Sequence, residues 1–263
     1  MQRTRLACEE RGAGKPVLLV HGFPFHRGQW SAIVPALARQ ARVIVPDLRG
    51  FGGSAFGPGS DEVVQSMDTH ADELAELLDS LRVTEPVTLV GFSMGGYVSF
   101  SFFRRHRARV GALALCNTRA IADTPEAAAG RAALAARALV EGPAPVIEGM
   151  LPRLLAPETL ASRPDVVASV RELMEVAPPT GIAASLRGMA ARRDSTTLLP
   201  HIDVPTLVVV GEHDAISPPA EMRGIATAIP RAHLVELTRC GHMSTHEAPQ
   251  DLASALESFV RAL

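Results

Sequence analysis

The chain has 263 residues, of which 47% are hydrophobic and 21% charged, and its formal net charge is −2. That hydrophobic share excludes an intrinsically disordered chain, and the near balance of signs excludes the basic face that a nucleic-acid partner demands. The length suits one large α/β domain, or a core domain that carries an insertion.

The opening MQRTRLACEERGAGKP is charged throughout and contains no apolar secretory stretch. Pro16–Val20 is a short apolar run, predicting a fully buried strand that ends at His21-Gly22-Phe23-Pro24. Trp30, Ile33, Val34 and Leu37 recur at helical spacing and predict a helix over 30–38. The run 42–45 is β-branched and closes on Pro46-Asp47, a second strand, and Leu74, Leu77, Leu78 and Leu81 mark an amphipathic helix over 72–81. Val87–Val90 predicts the next strand and Met94 opens a helix, with Gly91-Phe92-Ser93-Met94-Gly95 at the joint. The basic run Arg104-Arg105-His106-Arg107 falls where that helix ends, and there cations complement the helix dipole. Val110–Cys116 is a further strand.

From 119 to 193 the rhythm changes to Ala, Leu, Met and Arg punctuated by proline, with no strand pattern. This segment reads as a helical insertion, a lid, between core segments 1–118 and 194–263. Alternation then resumes, with a strand over 205–210, a helix over 219–228, a strand over 233–237 and a helix over 248–263. No apolar run is long enough to span a bilayer, and Cys8, Cys116 and Cys240 are too scattered for a disulfide framework. A cytoplasmic protein with no membrane partner is expected. Nothing in the sequence bears on its oligomeric state.

Strands alternating with helices imply a mostly parallel sheet covered on both faces, with the ligand site beyond the carboxyl ends of the strands. Gly91–Gly95 fits G-x-S-x-G, a sharp strand-to-helix turn that displays Ser93 at a helix N-terminus. A serine hydroxyl needs a base, and His242 follows the last strand on the same rim. His21 is expected to bond nearby backbone, whereas His26, His70, His106, His201 and His233 carry no motif support and read as surface or loop residues. The base needs an acid. Asn117 follows one rim strand but cannot carry charge, so Asp214, in Gly211-Glu212-His213-Asp214, is the candidate ahead of Glu212. The N–H groups of Met94 and Phe23 are the candidate oxyanion donors, since Pro24 has no N–H. His242 and His246 lack a third ligand and a H-E-x-x-H context, so no metal is expected, nor any cofactor.

Five motifs in order resemble the α/β-hydrolase superfamily with a helical lid: His21–Pro24, Asp47-Leu48-Arg49-Gly50-Phe51-Gly52-Gly53-Ser54, Gly91–Gly95, Gly211–Asp214 and Gly241-His242. The Ser93-Met94-Gly95-Gly96 elbow and Leu115–Ala120 are similar to small carboxylesterases and 3-oxoadipate enol-lactonases. Haloalkane dehalogenases share that fold but use a carboxylate nucleophile, which Ser93 opposes. The resemblance implies a serine hydrolase acting on a small-molecule ester or lactone. Carbon–carbon bond hydrolysis, perhydrolysis as a side activity and a non-catalytic receptor on the same fold are the alternatives. Candidate substrate-binding residues are Phe25, Trp30, Met150, Leu154, Met174 and Met189, whose apolar character suits a neutral acyl or aryl ester. Arg119 reads either as a surface ion pair or as the receptor of a substrate carboxylate, which would favour an acidic lactone.

Overall fold

Three unbroken apolar runs become the middle of a sheet. In the computed structural model, which describes residues 6–57, 59–61 and 63–263, strands β1 (Cys8–Arg11), β2 (Pro16–Val20), β3 (Arg42–Pro46), β4 (Val87–Phe92), β5 (Val110–Cys116), β6 (Thr206–Gly211) and β7 (Ala232–Leu237) pair in the order β1-β3-β2-β4-β5-β6-β7. Every residue of β2, β4 and β6 is buried, as parallel strands with both faces covered must be. β1 alone runs antiparallel, with Cys8 opposite Pro46. Its sequence CEER carries no apolar pattern because it is a half-exposed edge strand, and so it has no counterpart among the predicted elements.

Helices α1 (Val34–Leu37), α2 (Met67–Ser80), α3 (Met94–Arg105), α9 (Pro219–Ala228), α10 (Ser244–Glu247) and α11 (Pro249–Arg261) complete the core. The predicted 30–38 helix is instead a 3₁₀ turn over Arg27–Trp30 followed by short α1, with Pro35 in its first turn. α2 starts five residues before the expected 72, because the Ser66 hydroxyl accepts from the Thr69 N–H at 3.0 Å and caps the helix there. His70, expected at the surface, is fully buried on α2: it shares the helix face of Leu74, Leu77 and Leu78, at i+4, i+7 and i+8. Arg105 is the end-of-helix cation on α3, and it also forks onto Asp72 of α2 at 2.7 and 2.8 Å.

Between β5 and β6 the described chain holds helices only: α4 (Pro125–Glu141), α5 (Ala144–Leu154), α6 (Pro157–Ser162), α7 (Pro164–Glu175) and α8 (Pro179–Ala190). Each has a proline at its first or second position, where the missing N–H leaves no intrahelical bond unmade. Where this insertion leaves and rejoins the core, its two arms are fastened together. Asp123 receives Arg192 at 2.6 Å and Arg131 at 2.5 Å, the Ser195 N–H donates to the Ala120 carbonyl at 2.8 Å, and the Arg192 guanidinium stacks 4.4 Å from the Tyr97 ring centre. No helix among the described residues is long and apolar enough to cross a membrane.

Candidate active site

Along 87–103, Ser93 is the single residue that is not buried. Its backbone has φ 52° and ψ −112°, a conformation that costs a non-glycine residue about 1–3 kcal/mol and persists only where its surroundings enforce it. Here β4 must turn directly into α3, and the turn is tight enough to exclude side chains. A Cβ on Gly91 would lie 2.4 Å from the Gly95 carbonyl oxygen, and one on Gly95 would lie 2.3 Å from that of Val20. The Ser93 N–H is held by the Cys116 carbonyl at 2.9 Å, and Thr118 Oγ1 donates to the Ser93 carbonyl at 2.7 Å. The glycines make the turn, and the turn lifts the hydroxyl out of the core.

The loop after β2 packs against this elbow, since a Cβ on Gly22 would come within 3.2 Å of Ser93 Cβ. Gln29 Oε1 accepts the Gly22 N–H at 2.9 Å. The Leu48 N–H donates to His21 Nε2 at 2.9 Å, so His21 Nδ1 carries the proton and donates to the Gly22 carbonyl at 2.8 Å. Burial lowers the His21 pKa to about 4 against the opposing bond from Gly22, fixing the ring as neutral scaffolding of the loop. Among the described residues the Phe23 N–H has no protein partner, and that of Met94, the first residue of α3, has none within the helix.

His242 Nδ1 lies 2.8 Å from Asp214 Oδ2 and 3.0 Å from Oδ1, and both residues are buried. Because a carboxylate only accepts, Nδ1 carries the hydrogen, and in the neutral ring the lone pair is then on Nε2. The Phe92 ring stands edge-on to the imidazole at 5.4 Å. Asp214 also accepts from the Ile216 and Ser217 N–H groups at 2.8 Å each, from Ser217 Oγ at 2.6 Å and from Asn117 Nδ2 at 2.9 Å. Burial pushes its pKa up, but His242, Ser217 and Asn117 outweigh that and bring it down to about 2. The carboxylate is therefore ionised at any ordinary pH.

Asn117 is present in that network for a reason other than charge. Ser244 Oγ donates to Asn117 Oδ1 at 2.7 Å, which turns the amide NH2 toward Asp214. Its backbone has φ 48°, a left-handed conformation that asparagine tolerates better than most residues. Ser217, Ser244 and Glu247 are likewise absent from the candidates read in the sequence. Ser217 carries a local signal, a hydroxyl three residues after an aspartate at a loop start, whereas Ser244 and Glu247 follow His242 closely but meet Asn117, Ala156 and Thr159 only through the fold.

The substrate-binding candidates divide. Trp30, Leu154 and Met174 have no exposed surface at all, and Phe25 and Met189 almost none, so these side chains pack the interior and do not line an open pocket. Trp30 stands edge-on to Phe92 at 6.1 Å, and the Leu154 carbonyl accepts from the His242 and Met243 N–H groups at 2.9 and 3.0 Å. Met150 is half-buried on α5. Arg119 forks onto Glu221 through two bonds of 2.7 Å, so its charge is already matched. It borders a small cleft of about 70 Å³ shared with Tyr97, Arg104 and Arg193, and neither Ser93, Asp214 nor His242 lines that cleft. Among the described residues no group of three His, Cys, Asp or Glu side chains is placed to hold a metal ion. His246 bonds its own neighbour, Thr245 Oγ1, at 2.9 Å.

A parallel sheet that brings a serine elbow, an aspartate loop and a histidine loop to one rim, in that chain order, defines the α/β hydrolase class. The chain belongs to that family: the pattern of the alpha/beta hydrolase family matches residues 17–255. A solved thermophilic esterase from Thermogutta terrifontis, determined with malate bound, superposes with a TM-score of 0.94 at 46% identity, over 98% of this chain and 93% of its own. An enol-lactonase from Burkholderia xenovorans superposes with a TM-score of 0.87 at 28% identity, over 97% of this chain and 96% of its own. In sequence the chain is 30% identical to a pimeloyl-(acyl-carrier protein) methyl ester esterase of Chromobacterium violaceum, across 95% of this chain and 96% of that one.

Proposed function

We propose that the protein is a serine hydrolase that cleaves small carboxylic esters through Ser93, His242 and Asp214. Its helical insertion, 119–193, forms a lid over the rim. The observation that carries this reading is Ser93, strained and alone accessible in a buried stretch, on the rim that also carries a histidine whose Nδ1 is held by an ionised aspartate. His242 Nε2 takes the Ser93 proton as Oγ attacks the ester carbonyl, and Asp214 stabilises the imidazolium that results. The tetrahedral oxyanion is met by the N–H groups of Phe23 and Met94, each worth roughly 3–4 kcal/mol of barrier by analogy with other oxyanion holes. His242 then protonates the leaving alcohol, and water hydrolyses the acyl-enzyme by the same route.

Neutral acyl or aryl esters are the favoured substrates over acidic lactones. Arg119, the first cation after β5, is paired with Glu221, and Arg131 and Arg192 share Asp123, with Arg192 also donating to the Met189 and Ile121 carbonyls, so each of these guanidiniums already has protein partners. The esterase relatives support ester hydrolysis as the reaction class. Labelling with a fluorophosphonate, followed by turnover on a panel of neutral esters, tests the proposal. Labelling is expected at Ser93, and Ser93→Ala is expected to lower kcat by roughly 10⁴-fold or more. Near wild-type turnover by that variant would overturn the assignment.

A further inference from the structure

The loop that carries His242 is held by the insertion as much as by the core. Glu247, five residues after the histidine, has a buried carboxylate facing three donors. Its Oε1 accepts the Gly241 N–H at 2.9 Å, and its Oε2 accepts the Ala156 N–H at 2.7 Å and Thr159 Oγ1 at 2.8 Å. Gly241 is the residue just before His242, whereas Ala156 and Thr159 belong to the α5–α6 junction of the insertion. The Leu154 carbonyl takes the His242 and Met243 N–H groups, and Arg163 Nη1 reaches back to the Glu247 carbonyl at 2.7 Å. The two segments also touch directly, since a Cβ on Gly241 would fall 2.5 Å from the Ala156 nitrogen.

We propose that Glu247 is a positioning residue that registers His242 against the α5–α6 junction, so that the insertion sets the place of the catalytic base. The inference rests on the triad reading above. Both carboxylate oxygens face only donors, and no neutral isostere reproduces that. A glutamine must turn its NH2 toward either the Gly241 N–H or the Ala156 N–H, and it loses one bond whichever way it turns. A part of the insertion fastened in this way cannot swing away without carrying the base with it. Opening of the lid is therefore confined to the helices beyond 154–163.

The test compares wild type with Glu247→Gln, Glu247→Ala and Thr159→Val on one neutral ester, after circular dichroism and a melting curve for each. Thr159→Val removes a single hydroxyl at constant volume from the insertion side, so it reads the coupling even where Glu247→Ala fails to fold. The expected order of kcat is wild type, then Thr159→Val down roughly threefold, Glu247→Gln about tenfold and Glu247→Ala about 10²-fold, with KM within twofold throughout. A structural role alone would lower the melting temperature and leave kcat of the folded variants unchanged, and that result overturns the inference. Ser93→Ala in the same assay separates the two failures. If it retains turnover, the triad reading falls, and if it is inactive while Thr159→Val and Glu247→Gln match wild type, only the positioning role falls.

Discussion

Asn117→Asp exchanges one NH2 for one oxygen at a buried point 2.9 Å from Asp214 Oδ2. Two carboxylates at that separation repel by about 6 kcal/mol at an effective dielectric constant of about 20, so the pair keeps one proton where the unfolded chain keeps none. Holding a proton on a carboxyl of ordinary pKa about 3.9 costs about 1.4 kcal/mol for each pH unit above that value. The variant is therefore expected to lose about 1.5 kcal/mol of stability at pH 5 and about 4 kcal/mol at pH 7. The sign follows from a raised folded-state pKa on an acid: the penalty is absent below about pH 4 and grows as pH rises. Urea unfolding of both proteins at pH 5, 6 and 7 measures the difference directly, and pH effects common to the two cancel. A stability difference that is constant across this range, or below about 1 kcal/mol at pH 7, refutes the assignment of Asn117 as a donor to an ionised Asp214.

Wild-type stability itself should fall on mild acidification. His21 and His70 are fully buried, with pKa values lowered by burial to about 4 and about 3, so the unfolded chain binds protons first as pH drops below 6.5. Stability is expected to be flat above pH 7 in this respect and to have fallen by roughly 4 kcal/mol at pH 5, whereas a flat urea-unfolding profile between these values contradicts the buried neutral state of both rings. Arg119→Ala removes a cation paired with Glu221 and is expected to change kcat/KM by less than about threefold, equally on a neutral ester and an acidic lactone. A loss confined to the lactone would return Arg119 to the substrate site.

What the sequence discloses of this fold depends on where each contact partner sits in the chain. Strands β2, β4 and β6 are legible because burial on both faces writes itself as a continuous apolar run. Ser93 is legible because the requirements of its turn are local, met by residues two positions to either side. Asp214 and His242 are legible because the rim of a parallel sheet collects whatever follows each strand. In the sequence Asn117 reads only as an amide unable to act as an acid, since its partner lies 97 residues away and its orientation is set by Ser244, 127 residues away. Glu247 was hidden in the same way, because its role exists only once residues 156 and 159 are folded against it. Leu154, Met174 and Met189 turn out buried, because helical Leu and Met that pack an interior have the same sequence pattern as those that face a ligand. His70 was within reach, since it falls on the leucine stripe of its own helix.

The prolines that open each helix of the insertion have a consequence for how this part of the molecule changes over evolutionary time. A residue without an N–H cannot extend the hydrogen-bond ladder backward, so helical order is interrupted at every joint from α4 to α8. Lengthening or re-cutting one helix does not shift the register of the next. The insertion is in effect a set of separately punctuated tiles, of which the joint at 154–159 is the one bonded to the loop that carries His242.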